Sequence, residues 1–174
     1  MGVIGIILEN LRNMRKAKKL RAMPQAELLN MNDEDFYSAM ECITDAEVYD
    51  LNGQKELSRE MIYVYTLIKL EMEVNNGGLC QFFVNSSSQC APFVRDALKA
   101  VGALEIRELF ESFVNDNGID VCDLDSFKIS RIEDFEEQTE RFDFDKFDER
   151  FYENHELHGQ IIAYARKNVD RILN

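Results

Sequence analysis

Glu133, Glu136, Glu137 and Glu140 stand three and four residues apart, the spacing that brings side chains to one face of an α-helix. Their carboxylates form a row about 10 Å long, at about 1.5 Å of rise per residue. One DNA strand places about three phosphates over that length, at about 3.4 Å each. The two charge densities are comparable, so such a face can meet a helix-turn-helix protein as a duplex backbone would. Asp143, Asp145, Asp148 and Glu149 prolong the pattern.

A second constellation is built from amides. Asn75, Asn76, Gly77 and Gly78 are followed by Leu79-Cys80-Gln81-Phe82-Phe83-Val84-Asn85 and a run of serines, Ser86 to Ser88. Two adjacent glycines mark a sharp chain turn. Gln81 and Asn85 are four apart and share a helix face, while Leu79, Phe82 and Phe83 turn to the core. Amides bond to backbone and cap helices but are neither acids, bases nor nucleophiles at neutral pH. The cluster either fixes the turn or forms a polar pocket in which Asn76, Gln81 and Asn85 hold a peptide or small ligand.

Catalytic patterns are not found. His155-Glu156-Leu157-His158 has its second histidine one residue too early for a zinc-protease helix. No Glu-x-x-His pair suggests a di-iron centre. The serine run lacks a Gly-x-Ser-x-Gly elbow, and Gly77-Gly78 lacks the further glycines and lysine of a phosphate loop. The expectation is a non-enzymatic protein with no metal and no cofactor.

Net charge is −13 over 174 residues, and it is unevenly spread. Residues 1–22 carry Arg12, Arg15, Lys16, Lys18, Lys19 and Arg21 against Glu9, a net of +5, which leaves −18 on the rest. A body this acidic repels nucleic acid and anionic lipid, and attracts basic partners, over a Debye length of about 8 Å. Cys42, Cys80, Cys90 and Cys122 are widely spaced, as in a reduced cytoplasmic protein. The apolar run from Gly2 to Leu8 has its cations after it, unlike a secretory signal, and no stretch reaches the ~20 apolar residues of a membrane span.

The elements that must position these groups read as helices, since two prolines and eight glycines leave few breakers. Residues 3–21 carry Ile4, Ile7, Leu8, Leu11 and Met14 or Arg15 at helical spacing, up to Pro24. Asn32 with Asp33, Glu34 and Asp35 opens a helix whose inner stripe is Phe36, Met40 and Ile43; Asn52-Gly53 ends that region. Residues 55–75 form a central helix with the stripe Leu57, Met61, Val64, Ile68 and Met72. Pro92 opens a helix that Gly102 closes. Leu104 to Val114 follows, with Leu104, Ile106 or Phe110, Leu109 and Phe113 inward and Asn117-Gly118 as its stop. Ser130 and Glu133 match a capping box for a helix to Phe142 with Ile132, Phe135 and Phe142 inward. Asp145 is expected to cap the next helix, and residues 157–172 the last. The whole reads as an all-α, irregular multi-helix bundle: a single domain at 23–174 with a basic amphipathic helix, 1–22, appended.

Asn75 to Ser87, with Ala97-Leu98-x-x-x-Gly102-Ala103 and Phe147-Asp148-Glu149-Arg150-Phe151-Tyr152, resembles a bacterial family of uncharacterised helical domains that includes the DNA-mimic protein of pathogenic Neisseria. The likeness covers roughly residues 35–167. It implies an all-helical fold, a cytoplasmic location and a homodimer. For the mimic it further implies an acidic dimer surface that occupies the DNA-binding face of a transcriptional regulator. Leu79 departs from the family's usual aromatic, and the basic amino-terminal helix is no expected part of a phosphate mimic. The functional expectation is an acidic interaction domain that binds a basic DNA-binding protein, without direct nucleic-acid binding.

Overall fold

The computed structural model describes residues 3–48 and 56–174, apart from the side chains of residues 3–10 and Ile132. The described residues are helical, turn or coil, with no strand among them, so the all-α expectation holds. Contacts cluster into two compact units, residues 1–65 with 162–174 and residues 66–161.

The first unit contains α1 (Val3–Arg21), α2 (Gln25–Leu29) and α3 (Asp33–Glu47). The Asn32 side chain accepts the Asp35 N–H at 2.9 Å and so caps α3. Phe36, Met40 and Ile43 form its buried stripe, as the spacing predicts. α1 packs on α3. Its described contacts run through buried Ala17, through the Asn13 carbonyl, 3.8 Å from Cys42 Sγ, and through Arg21, which pairs with Glu47. Leu11 and Met14, two of the apolar residues at helical spacing, are 46% and 61% exposed. Ile4, Ile7 and Leu8 of the same stripe, and the Asn52-Gly53 stop, lie outside the described residues.

α4 (Arg59–Val84) enters the first unit with Met61, Val64 and Tyr65 buried and continues into the second. The second half of α9 (Leu157–Lys167) belongs to the first unit and is followed by α10 (Val169–Leu173). The single last helix expected is thus two. Asn168 leaves helical torsions (φ −117°, ψ 18°) and its side-chain amide caps the Tyr164 carbonyl at 2.8 Å. Arg166 on α9 stacks 4.3 Å over the Phe36 ring and donates to the Leu29 and Met31 carbonyls, satisfying the end of α2.

The second unit holds the rest of α4, a 3-10 turn at Ser86–Cys90, α5 (Ala91–Val101), α6 (Leu104–Asp116), a 3-10 turn at Asp125–Phe127, α7 (Ile132–Arg141) and α8 (Asp145–Glu153). Pro92 lies in the first turn of α5, and Gly102 closes it at φ 87°. Ile106, Phe110, Phe113 and Val114 line the inner side of α6, whereas Leu104 is 54% exposed. Two residues before Ile106, Leu104 lies about 200° round the helix from it and falls off the buried face. Met72 on α4 is likewise exposed.

Phenylalanines hold this unit together. Phe83 lies 5.0 Å from Phe127, 6.2 Å from Phe110 and 6.3 Å from Phe113, measured between ring centres. Phe127 stacks on Phe142 at 5.2 Å, which fixes the carboxyl end of α7. Phe113 meets Phe144 and Phe147 on the other side. Such pairs contribute about 0.5–1.5 kcal/mol each beyond the area they bury.

Candidate functional site

The first constellation stands on α7. Its capping differs from the expected Ser130–Glu133 box. Asp134 takes the third helical position, and its Oδ2 accepts the Ser130 N–H at 2.7 Å and the Arg131 N–H at 2.9 Å. Asp134 Oδ1 also binds Arg131 Nη2 at 2.9 Å. These donors hold the Asp134 carboxyl below the usual aspartate range, the two backbone N–H groups contributing most. Aspartate is short enough to reach both amides, so Glu133 is left to point outward.

Glu133, Glu136, Glu137 and Glu140 are all exposed. None of them forms an ion pair among the described residues. The cations at the two ends of α7 are engaged elsewhere, Arg131 with Asp134 and Arg141 4.8 Å over the Phe142 ring. Asp143, Asp145 and Glu149 are exposed as well. Asp145 is the first residue of α8 and Phe144 precedes it, so Asp145 faces the helix dipole without making the cap bond expected of it.

Asp148 is the exception in that set. It is only partly exposed, and its Oδ1 accepts the Leu79 N–H at 2.8 Å. It therefore belongs to the second constellation. Gly77 (φ −162°, ψ 26°) and Gly78 (φ 77°, ψ 177°) kink α4 between two helical segments. In an unbroken helix the Val74 carbonyl would take the Gly78 N–H, and the Leu79 N–H would go to Asn75. Here Tyr152 Oη donates to the Val74 carbonyl at 2.8 Å, and Asp148 takes the Leu79 N–H. Asp148 and Tyr152 lie four apart on α8, so one helix face serves both sides of the kink. Burial raises the Asp148 carboxyl, opposed by the Leu79 bond, and pushes the neighbouring Cys80 thiol up to about 12.

Glu73, which local sequence does not single out, organises the amides. Its Oε2 accepts Gln81 Nε2 at 2.6 Å and Asn85 Nδ2 at 2.8 Å, and its Oε1 accepts the Ser87 hydroxyl at 2.9 Å. The readable signal was register: Glu73, Gly77 and Gln81 recur every four residues. A Cβ on Gly77 would strike Gln81 Oε1, and one on Gly78 would strike Asp148 Oδ2. Close approach thus favours glycine at both positions, and Gly78 also needs it for its positive φ. Asn75 and Asn76 are exposed and make no side-chain hydrogen bond among the described residues.

The remaining chemistry is sparse. His155 is exposed and precedes α9, whose start Asn154 caps through the Leu157 N–H at 3.0 Å. His158 lies on α9 with Nδ1 3.2 Å from the Glu71 carboxylate. The two histidines therefore do not share a helix. Among the described residues no group of three His, Cys, Asp or Glu could hold a metal. A cavity of about 290 Å³ opens beside Asp120, Asp123, Asp125, Phe127 and Arg141. Its aspartates are tied to local turns: Asp120 accepts the Cys122 N–H, Asp123 the Asp125 N–H, and Asp125 pairs with Lys128.

The second constellation now has a physical reading. Gly77-Gly78, Gln81, Asp148 and Tyr152 form one support, and Gly102 closes α5 with the Ala103 N–H on the Leu98 carbonyl at 2.9 Å. No curated protein and no solved structure matches the chain. Residues 55–168, which contain every part of this support, match the DMP19-like protein family, and the chain belongs to that family.

Proposed function

We propose that this protein is a non-enzymatic acidic interaction domain, a DNA mimic that occupies the DNA-binding surface of a basic regulator. The observation that carries the reading is the exposed carboxylate face of α7, formed by Glu133, Glu136, Glu137 and Glu140, with no ion pair to it among the described residues. Asp143, Asp145 and Glu149 extend it, whereas Asp148 supports the kink. Membership of the DMP19-like family supports the same reading. The proposal includes a homodimer and a cytoplasmic site of action; no helix among the described residues is long and apolar enough to cross a membrane. The domain proper comprises residues 23–174, with residues 1–22 as its basic appendage.

The amide-pocket alternative has less support, because the side-chain N–H groups of Gln81 and Asn85 are already donated to Glu73. The test is a low-salt pull-down with the tagged chain, repeated with competing duplex DNA. Retained proteins should be DNA-binding, should be displaced by duplex and rising salt, and should be lost with the Glu133/Glu136/Glu137/Glu140→Gln variant. Equal retention by that variant, or indifference to salt, overturns the proposal.

A further inference from the structure

α1 presents a surface that the acidic-mimic reading leaves unused. Arg12, Arg15, Lys16, Lys18 and Lys19 are all exposed, and so are Leu11 and Met14. At about 100° per residue, Leu11, Met14, Arg15 and Lys18 lie about 60–160° round the helix from buried Ala17. They therefore form a face turned away from α3. In the sequence the same spacing runs back through Leu8, Ile7 and Ile4, and Glu9 is the single acid before residue 22. A helix that merely docked would bury its largest apolar residues. Among the described side chains of α1, Ala17 is buried while Leu11 and Met14 stand outside among cations.

Three occupants can be weighed by chemistry. A second copy of α1 would bring Arg15 and Lys18 onto the same seam as Leu11, where like charges repel. An acidic face such as α7, or a nucleic acid backbone, matches the cations but offers Leu11 and Met14 no apolar partner. An anionic bilayer offers both: headgroup charge for the cations, and the acyl boundary a few ångströms below for the apolar residues. We propose that α1 is an interfacial helix that lies on an anionic membrane surface and tethers the acidic body there without crossing the bilayer. The proposal is independent of what α7 binds.

The test is co-sedimentation of the full chain with vesicles of phosphatidylcholine alone and of phosphatidylcholine with 30% phosphatidylglycerol. Binding should favour the anionic vesicles by at least about tenfold and fall with salt. Arg15→Gln/Lys18→Gln/Lys19→Gln should weaken it about a hundredfold, at roughly fivefold per cation. Leu11→Gln/Met14→Gln keeps every charge and alters exposed positions, so the fold should survive while binding drops about tenfold. The Glu133/Glu136/Glu137/Glu140→Gln variant should still bind vesicles, which separates this result from the fate of the mimic proposal. Absence of anionic-vesicle binding, or an unchanged Leu11→Gln/Met14→Gln variant, overturns the proposal. So does preferential binding of a duplex oligonucleotide through α1.

Discussion

The kink in α4 and the outer face of α7 use the same functional group to opposite ends. At the kink, Glu73 accepts three side-chain donors and Asp148 accepts a backbone N–H. On α7, four glutamates face solvent with no cation paired to them among the described residues. A carboxylate whose acceptor positions are filled from within the chain contributes stability and little recognition. One whose positions are empty contributes little stability and is available to a partner. Substitutions at the two regions should therefore separate, with stability lost at one and binding lost at the other.

The largest loss is expected at Gly78. A Cβ there meets Asp148 Oδ2 while the backbone holds φ 77°. Gly78→Ala combines about 1–2 kcal/mol of left-handed strain with displacement of the Leu79 N–H acceptor, a further 1–3 kcal/mol or so. Denaturant melts should show about 2–5 kcal/mol lost. Gly77→Ala, at an extended φ, should lose less, because Gln81 can swing aside. Equal losses would mean that crowding and not backbone torsion sets the requirement. Next comes Glu73→Ala, which leaves the Gln81, Asn85 and Ser87 donors without their shared acceptor. About 1–3 kcal/mol should be lost, with vesicle and partner binding unchanged. A stable Glu73→Ala protein that gains affinity for an added amide or peptide would reopen the ligand-pocket alternative.

These contrasts explain what the sequence could and could not disclose. Helix positions signalled by local chemistry were legible: Asn32 before α3, Pro92 and Gly102 around α5, and Asn117-Gly118 after α6. So was the fold class. Which way an acid points was harder, because it depends on the packing of other helices. Asp148 follows Phe147 and lies between Phe144 and Phe151, all buried, so its own register already places it near the core. That stripe sets Asp148 apart from exposed Asp145 and Glu149. Glu73 was hidden because its three partners lie 8, 12 and 14 residues downstream, beyond the kink that brings them back. Leu11 and Met14 fall at helical spacing yet are exposed, since spacing alone does not say what an apolar stripe packs against.

Asp148 offers a pH test of the same comparison. Burial raises its folded-state pKa above the ordinary aspartate value of 3.8, so the folded protein holds that proton more tightly than the unfolded chain. The corresponding stability is complete below pH 3.8 and is lost as pH rises through the folded value. Asp148→Asn keeps an oxygen acceptor for Leu79 but removes this titration. In melts across the acid range, the stability difference between parent and variant should move in the variant's favour as pH rises. Parallel curves would mean that the Leu79 bond offsets the burial fully.

The smallest effect on stability is expected where the effect on binding is greatest. Glu133 with Glu137, and Glu136 with Glu140, are like-charged pairs four apart on α7, each destabilising by about 0.2–0.5 kcal/mol. Replacing all four with glutamine should leave the melting transition unchanged or raise it slightly, because no described ion pair is lost. The same variant should reduce the salt dependence of partner binding along with its strength, since charges that no longer face the partner no longer respond to screening. A marked loss of stability would show that these carboxylates serve the fold, as Glu73 does, and the contrast between the two regions would collapse.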